Sequence, residues 1–315
     1  MDKIIGIDIG GTKIAIGRSD VNGNLEESLR FSTNVVRGYR AILGEIIEKT
    51  ERLFNDQSVK AIGIGCGGPL DSKKGRVLSP PNLPGWDNVL IVEDIKSIFK
   101  VPVYLENDAN AAALGEFHFG VGRNVNNMVY LTLSTGIGGG IIINNRLVHG
   151  VRDSGGEVGH QTILPDGPFC NCGNRGCLEA ISSGTGIAKT FKERLLSGRD
   201  SIVRSWIKDV SEIDAKMIAD AAKWGDTLAK EVWDEAIYYL GIGIANIITI
   251  LSPEMVVLGG SLTKYGESLF LRVREIVKER VKLVPVDEVQ IVEAELGDNV
   301  GILGAVAVGL LGDDR

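Results

Sequence analysis

The chain has 315 residues, 44% hydrophobic and 24% charged, enough apolar material for two domains with buried cores and too much for a disordered chain. Its net charge of -7 leaves no basic surplus to meet phosphate backbones, which argues against a nucleic-acid partner. The N-terminus enters a strand pattern almost at once, with no apolar h-region of a signal peptide, so a cytoplasmic protein is expected.

In chain order, residues 3–8 read as a buried strand, Gly10-Gly11 as a turn and residues 13–18 as a second strand. The Asn22-Gly23 turn then leads into a third strand at 25–32. Within residues 39–54, Ile42, Leu43, Ile46, Ile47 and Leu53 fall at helical spacing. A short strand at 60–65, a helix at 89–99, a strand at 101–105 and an Ala-rich helix at 110–119 complete the first half. The scheme then restarts with a strand at 128–133, a glycine turn at 136–140 and a strand at 141–144. Helices at 184–196, 215–223 and 227–250 follow, then a strand at 255–258, a helix at 265–281, a strand at 289–292 and a last helix at 300–311. The longest apolar stretch, 238–251, is too short to span a bilayer and reads as part of a buried core helix, so no membrane partner is expected. Two rounds of strand, glycine turn, strand and alternating helices and strands predict an α/β architecture in two similar halves. Small-molecule sites favour the interface of such halves.

Three glycine turns follow strands: Asp8-Ile9-Gly10-Gly11-Thr12-Lys13, Ser134-Thr135-Gly136 with the glycines behind it, and Leu258-Gly259-Gly260-Ser261. Glycine lets backbone N–H groups approach an anion, Lys13 adds charge, Thr12 and Thr135 add hydroxyls, and Asp8 at a strand end suits a hydrated Mg²⁺. Each turn alone is equally an ordinary tight turn; three together favour phosphate binding. No G-x-x-x-x-G-K-[ST] occurs, and the G-x-G-x-x-G at 63–68 runs into Pro69 rather than a helix, so neither a P-loop nor a Rossmann site is expected. Gly67-Gly68 reads instead as backbone lining a pocket.

Glu106-Asn107-Asp108 lies where a strand ends and a helix begins. Asp108 is either the helix cap or a base for an attacking hydroxyl, with Asn107 fixing a substrate hydroxyl. His160, Cys170, Cys172 and Cys177 offer one imidazole and three thiols within eighteen residues, the Cys₃His set of a closed structural zinc site. The alternative is a group of reduced, unliganded thiols. Glu157 and Glu179 flank this loop as acceptors for sugar hydroxyls or as solvated surface charges.

Glu157-Val158-Gly159-His160 with the run C-x-C-G-x-x-G-C-x-E from Cys170 to Glu179 resembles the signature of the ROK family (repressor, open reading frame, kinase). The likeness extends from the Asp8–Lys13 loop to the closing Ala/Gly helix. It implies the actin-like ATPase fold of sugar kinases, two similar α/β domains flanking a cleft, with residues 1–118 plus 300–315 in the smaller and 119–299 in the larger. It further implies ATP with Mg²⁺, a structural Zn²⁺, a hexose phosphorylated at its 6-hydroxyl, and a homo-oligomer, dimer or tetramer. Asp108 would be the catalytic base; Gly67, Asn82, Asn107, Glu157, His160 and Glu179 would bind the sugar. Asp8, Gly10, Gly11, Thr12, Lys13, Thr135 and Gly136 would hold the phosphates, and Gly259 and Gly260 the adenosine. The Pro80-Pro81-Asn82 segment is most similar to the glucokinase members, which favours glucose over N-acetylmannosamine, mannose, allose or fructose. Repressors of the family carry an N-terminal helix-turn-helix domain, for which the strand starting at Lys3 leaves no room. A non-catalytic sugar-binding regulator and a zinc-stapled interaction module are the competing readings.

Overall fold

The computed structural model describes residues 2–54 and 58–315. Twelve strands and nine α-helices fall among these residues. The first half comprises β1 (Lys3–Ile9), β2 (Lys13–Asp20), β3 (Leu25–Ser32), α1 (Gly38–Leu53), β4 (Val59–Cys66), β5 (Leu70–Asp71), β6 (Arg76–Val77), α2 (Ile91–Phe99), β7 (Val103–Asn107) and α3 (Asp108–Phe119). The second comprises β8 (Met128–Leu133), β9 (Ile137–Ile143), β10 (Arg146–Leu147), α4 (Leu178–Ser182), α5 (Gly184–Leu196), α6 (Ala215–Lys223), α7 (Thr227–Leu251), β11 (Met255–Gly259), α8 (Glu267–Arg280), β12 (Gln290–Glu293) and α9 (Val300–Leu311).

Two five-stranded sheets result, ordered β3-β2-β1-β4-β7 and β10-β9-β8-β11-β12. With only the strands of each five-stranded sheet counted, both sheets run third, second, first, fourth, fifth, so the repeat read from the sequence is a repeat of topology. In the first sheet β2 lies antiparallel to β1 and β3, while β1, β4 and β7 are parallel. In the second, β9 and β10 are antiparallel and β11 and β12 parallel.

The chain divides into two compact units, one of Met1–Tyr130, Gly140–Gly156 and Ala294–Arg315, the other of Leu131–Gly139 and Glu157–Glu293. The first is larger than a boundary after residue 118 and before 300 would make it, and its contacts explain why. The buried Glu116 carboxylate accepts the N–H groups of Val121, Glu295 and Leu296, and Asp153 accepts both the N–H and the hydroxyl of Ser72.

Glycines let α9 sink against the first sheet. A Cβ at Gly63 would lie 1.8 Å from the Ala305 carbonyl oxygen, and one at Gly6 2.4 Å from that of Ile302. The other face buries Ile5, Ile7, Ile42, Ile46, Ile62 and Ile64. The glycines at 138–140, expected as a turn, lie within β9. Gly140 has a packing reason: a Cβ there would sit 2.5 Å from the Ala113 methyl of α3. In the second unit Asp226 caps α7, accepting the Ala229 N–H at 2.8 Å. That 25-residue helix has the length and apolarity of a membrane span, yet half of its most apolar window is buried within the protein, as a core helix requires.

Candidate active site

In the first unit, the parallel register pairs Asp8 with Gly65 and Gly65 with Glu106, then Ile9 with Cys66 and Cys66 with Asn107. Three strands therefore end side by side and deliver Asp8, Gly67-Gly68 and Asn107-Asp108 to one edge of the sheet, the carboxyl edge where α/β proteins place ligand groups. Gly67 comes so near Asp108 that a Cβ would lie 3.7 Å from Oδ2. The loop from Gly10 to Lys13 is a tight connection, closed by the Gly10 N–H on the Lys13 carbonyl oxygen at 3.0 Å, with Thr12 and Lys13 exposed. Gly11 is pressed on Asn82, whose carbonyl oxygen would be 2.5 Å from an added Cβ.

The cap of α3 is Asn107, not Asp108. Asn107 Oδ1 accepts the N–H groups of Ala109 and Asn110 at 2.9 and 3.3 Å. Its Nδ2 is left to face the Gly68 side of the site. Asp108 opens the helix with its side chain exposed, and its Oδ1 accepts the Ala109 N–H at 2.8 Å. Surrounding protein reduces the hydration of this carboxyl and raises its pKa against that hydrogen bond, although the group still reaches solvent. Asp8 is pushed up to about 7, first by burial and then by the Asp108 charge, with Lys13 and Arg30 pulling the other way. Two carboxyls that resist ionisation together suit a divalent cation, so Asp8 and its neighbourhood fit Mg²⁺.

In the second unit, one donor atom from each of His160, Cys170, Cys172 and Cys177 lies within 4.8 Å of the others. Cys172 Sγ and Cys177 Sγ are 3.7 Å apart, and Cys170 Sγ is 3.6 Å from His160 Nδ1. Tetrahedral zinc with Zn–S ~2.3 Å and Zn–N ~2.0–2.1 Å separates sulfurs by ~3.8 Å and sulfur from nitrogen by ~3.5–3.6 Å. The four residues thus fit zinc, and all four cysteines of the chain are free of disulfides. With Nδ1 turned to the cluster, His160 Nε2 faces outward, 3.8 Å from Glu157 Oε2. Glu179 on α4 accepts the Ile137 N–H at 2.9 Å, and the same oxygen lies 2.5 Å from where a Cβ on Gly136 would be. Its other oxygen is 3.9 Å from Cys170 Sγ.

A cavity of about 1020 Å³ in this unit is lined by Ser134, Thr135, Thr185, Ser261 and Tyr265 among others. The Ser134 and Ser261 hydroxyls are 3.3 Å apart, joining the Thr135 loop to the Gly259-Gly260 turn. Gly260 adopts φ +95°, and a Cβ would lie 2.4 Å from the Leu133 carbonyl oxygen. Sequence reasoning missed the lysines of the cavity wall, Lys189 and Lys192 on α5, Lys216 and Lys223 on α6, and Lys264. The i, i+3 spacing of the α5 pair was the available signal. It also missed the charged partners of Glu106, His149 and Arg315, which are remote in sequence.

Comparison with known proteins agrees with these features. The family model described as ROK family matches residues 4–310. The chain is 36% identical to the glucokinase of Thermotoga maritima, over 97% of this chain and 96% of that one. It is 35% identical to the xylose repressor of Caldicellulosiruptor bescii, over 97% of this chain and 77% of the repressor. Among solved structures it is similar to a ROK family glucokinase from Streptomyces griseus in complex with glucose and AMPPNP. That match has a TM-score of 0.81 and 32% identity and covers 98% of this chain and 100% of the other. A match along nearly the whole chain, with the actin-like sugar-kinase architecture of two repeated sheets, leads to one conclusion: the chain belongs to the ROK family.

Proposed function

We propose that the protein is an ATP-dependent hexokinase that phosphorylates the 6-hydroxyl of a hexose, with glucose its preferred substrate. The observation that carries the reading is Asp108, an accessible carboxylate at the end of β7, beside Asp8 and the glycine loop of residues 10–13. Asp108 takes the proton from the sugar 6-hydroxyl as that oxygen attacks the γ-phosphorus, and the bond to the β-phosphate oxygen breaks to leave ADP. Its pKa, raised by the surrounding protein, makes its carboxylate form a better proton acceptor than an ordinary surface carboxylate. Asn107 offers Nδ2 to a sugar hydroxyl because its oxygen is committed to the helix. Gly67, Asn82, Glu157, His160 and Glu179 complete the sugar contacts.

Gly10, Gly11, Thr12, Lys13, Thr135 and Gly136 hold the phosphates, and the cavity beside Gly259 and Gly260 takes the adenosine; its volume suits a nucleotide. Mg²⁺, held near Asp8, supplies charge neutralisation on the phosphates when bound. Zn²⁺ on His160, Cys170, Cys172 and Cys177 fixes the loop that presents His160 Nε2 and Glu179. The glucose and AMPPNP bound to the Streptomyces griseus relative support the choice of substrates. A cytoplasmic location goes with them.

The test is Asp108→Asn in a coupled assay with glucose and ATP. General-base catalysis is worth ~10²–10⁴-fold, so kcat should fall by about that factor with the fold and zinc content intact. Near-normal turnover would remove Asp108 from the chemistry. The similarity to a xylose repressor favours, as a second reading, a sugar-binding regulator. It requires tight sugar binding with no ATP consumption on any hexose.

A further inference from the structure

Directly beneath the Asn107–Asp108 corner lies a charged group that the kinase roles do not use. Glu106 is fully buried, the last residue but one of β7. Its Oε1 accepts the Asn107 N–H at 2.9 Å and the Asn110 Nδ2–H at 3.1 Å. Its Oε2 is 2.8 Å from His149 Nε2 and 3.5 Å from Arg315 Nε. Arg315 is itself only 7% exposed at its side chain and lies over the ring of Tyr104, two residues before Glu106 on the same strand.

A buried carboxylate is costly unless charges and donors meet it, and here they come from three separate segments of the first unit. The balance is visible in the ionisation. Burial works to raise the Glu106 pKa, but the His149 hydrogen bond, the Arg315 and His149 charges and the Asn110 amide together hold it below the usual range. His149 is raised in return, chiefly by its bond to Glu106 and with help from Asp153, against partial burial and the Arg315 charge. Stability alone would be served as well by an apolar core residue. What the ion adds is a grip at two points, the peptide just before Asp108 and the first turn of α3.

We infer that Glu106, held by His149 and Arg315, is a positioning residue that fixes the Asn107–Asp108 corner so that Asp108 meets the attacking hydroxyl. This rests on the kinase reading for its consequence, not for its geometry. Glu106 touches no substrate and acts through the backbone. A small displacement of a catalytic group can cost on the order of 10²-fold in rate, so the clamp should appear in kcat rather than in affinity.

The experiment compares Glu106→Gln, His149→Gln, Arg315→Ala and Arg315→Lys with the wild-type chain by steady-state kinetics and by amide hydrogen exchange. Glu106→Gln should lower kcat about 10- to 50-fold with both KM values within twofold, and should speed exchange at Asn107, Ala109 and Asn110 at least 10-fold. Arg315→Ala should lower kcat severalfold and Arg315→Lys should recover most of it. His149 holds Glu106 best when protonated, so wild-type kcat should decline as pH rises through the raised imidazole pKa. His149→Gln should lose that alkaline limb. Wild-type kcat and exchange in a folded Glu106→Gln overturn the clamp. Should that variant not fold, Arg315→Ala decides: kcat and exchange both unchanged, or kcat and KM altered in equal measure, overturns it too. A wild-type chain that phosphorylates no hexose refutes the kinase reading, and the exchange comparison still decides the clamp.

Discussion

Asp8 carries a latent cost in the first unit. Its pKa is pushed from 3.8 to about 7 by burial and by the Asp108 charge. A carboxyl raised in this way contributes stability that is fully present below its unfolded value and is lost as pH rises through its folded one. Asp8→Asn should therefore stabilise the ligand-free protein. The gain should be absent near pH 4, grow with pH and level off above about 7. The full shift would be worth ~4 kcal/mol, but the side chain keeps some contact with water, so about 1–2 kcal/mol is expected in denaturant titrations at pH 8. A gain that shrinks with rising pH would contradict the assignment. The same variant should bind Mg·ATP poorly. At this scale the sequence was most legible where partners are near neighbours. His160, Cys170, Cys172 and Cys177 lie within eighteen residues, and Asp108 stands at a strand–helix junction. Glu106 was read only as one polar residue of three, because His149 is 43 positions away and nothing in local spacing encodes a contact between strand and distant loop.

Elements were legible to the extent that their periodicity is their cause. The spans of α5, α6 and α9 are those expected from apolar spacing, and α1, α7 and β8 agree to within a residue or two at each end. The short β5, β6 and β10 escaped because two residues cannot show a period. The glycines of β9 were misread because a glycine required by helix–strand contact looks, in sequence, like a glycine required by a turn. Gly63 makes that distinction testable. It sits in extended backbone that any residue could adopt, so only the approach of α9 demands glycine there. Gly63→Ala should push α9 off the sheet and cost about 1–3 kcal/mol or more, read as a lower denaturation midpoint with an unchanged m-value. The Cys₃His loop gives a second test. It leads through Cys177 directly into α4, which carries Glu179, and its Cys170 Sγ lies 3.6 Å from His160 Nδ1. Cys172→Ser or chelation should therefore raise the sugar KM about tenfold or more, while ATP affinity changes less than threefold. Unchanged sugar affinity in the metal-free protein would make the metal a remote fold support.

For the molecule as a whole, the alternative to a kinase is a sugar-binding regulator, since a xylose repressor matches at 35% identity beside the glucokinase at 36%, although this chain covers 96% of the glucokinase and 77% of the repressor. Fold cannot separate them, because one architecture hosts both activities. Sugar chemistry can. Xylose is a pentose and lacks the carbon that bears the 6-hydroxyl, so it can fill hydroxyl-binding positions but cannot accept the phosphoryl group. Any ligand that binds only the native state stabilises it by RT ln(1 + [L]/Kd), ~2.7 kcal/mol at 100 Kd, so a thermal-shift series ranks sugars whether or not they react. Glucose should stabilise at the lowest concentration of a panel including mannose, N-acetylmannosamine, allose, fructose and xylose, and should show the highest kcat/KM with ATP. Polyphosphate in place of ATP tests the donor in the same assay. Xylose should shift the transition only weakly and should inhibit competitively against glucose without consuming ATP. Strong stabilisation by xylose with no turnover of glucose would reverse the assignment. The accessible carboxylate of Asp108 would then be a sugar contact held at the end of β7 rather than a base.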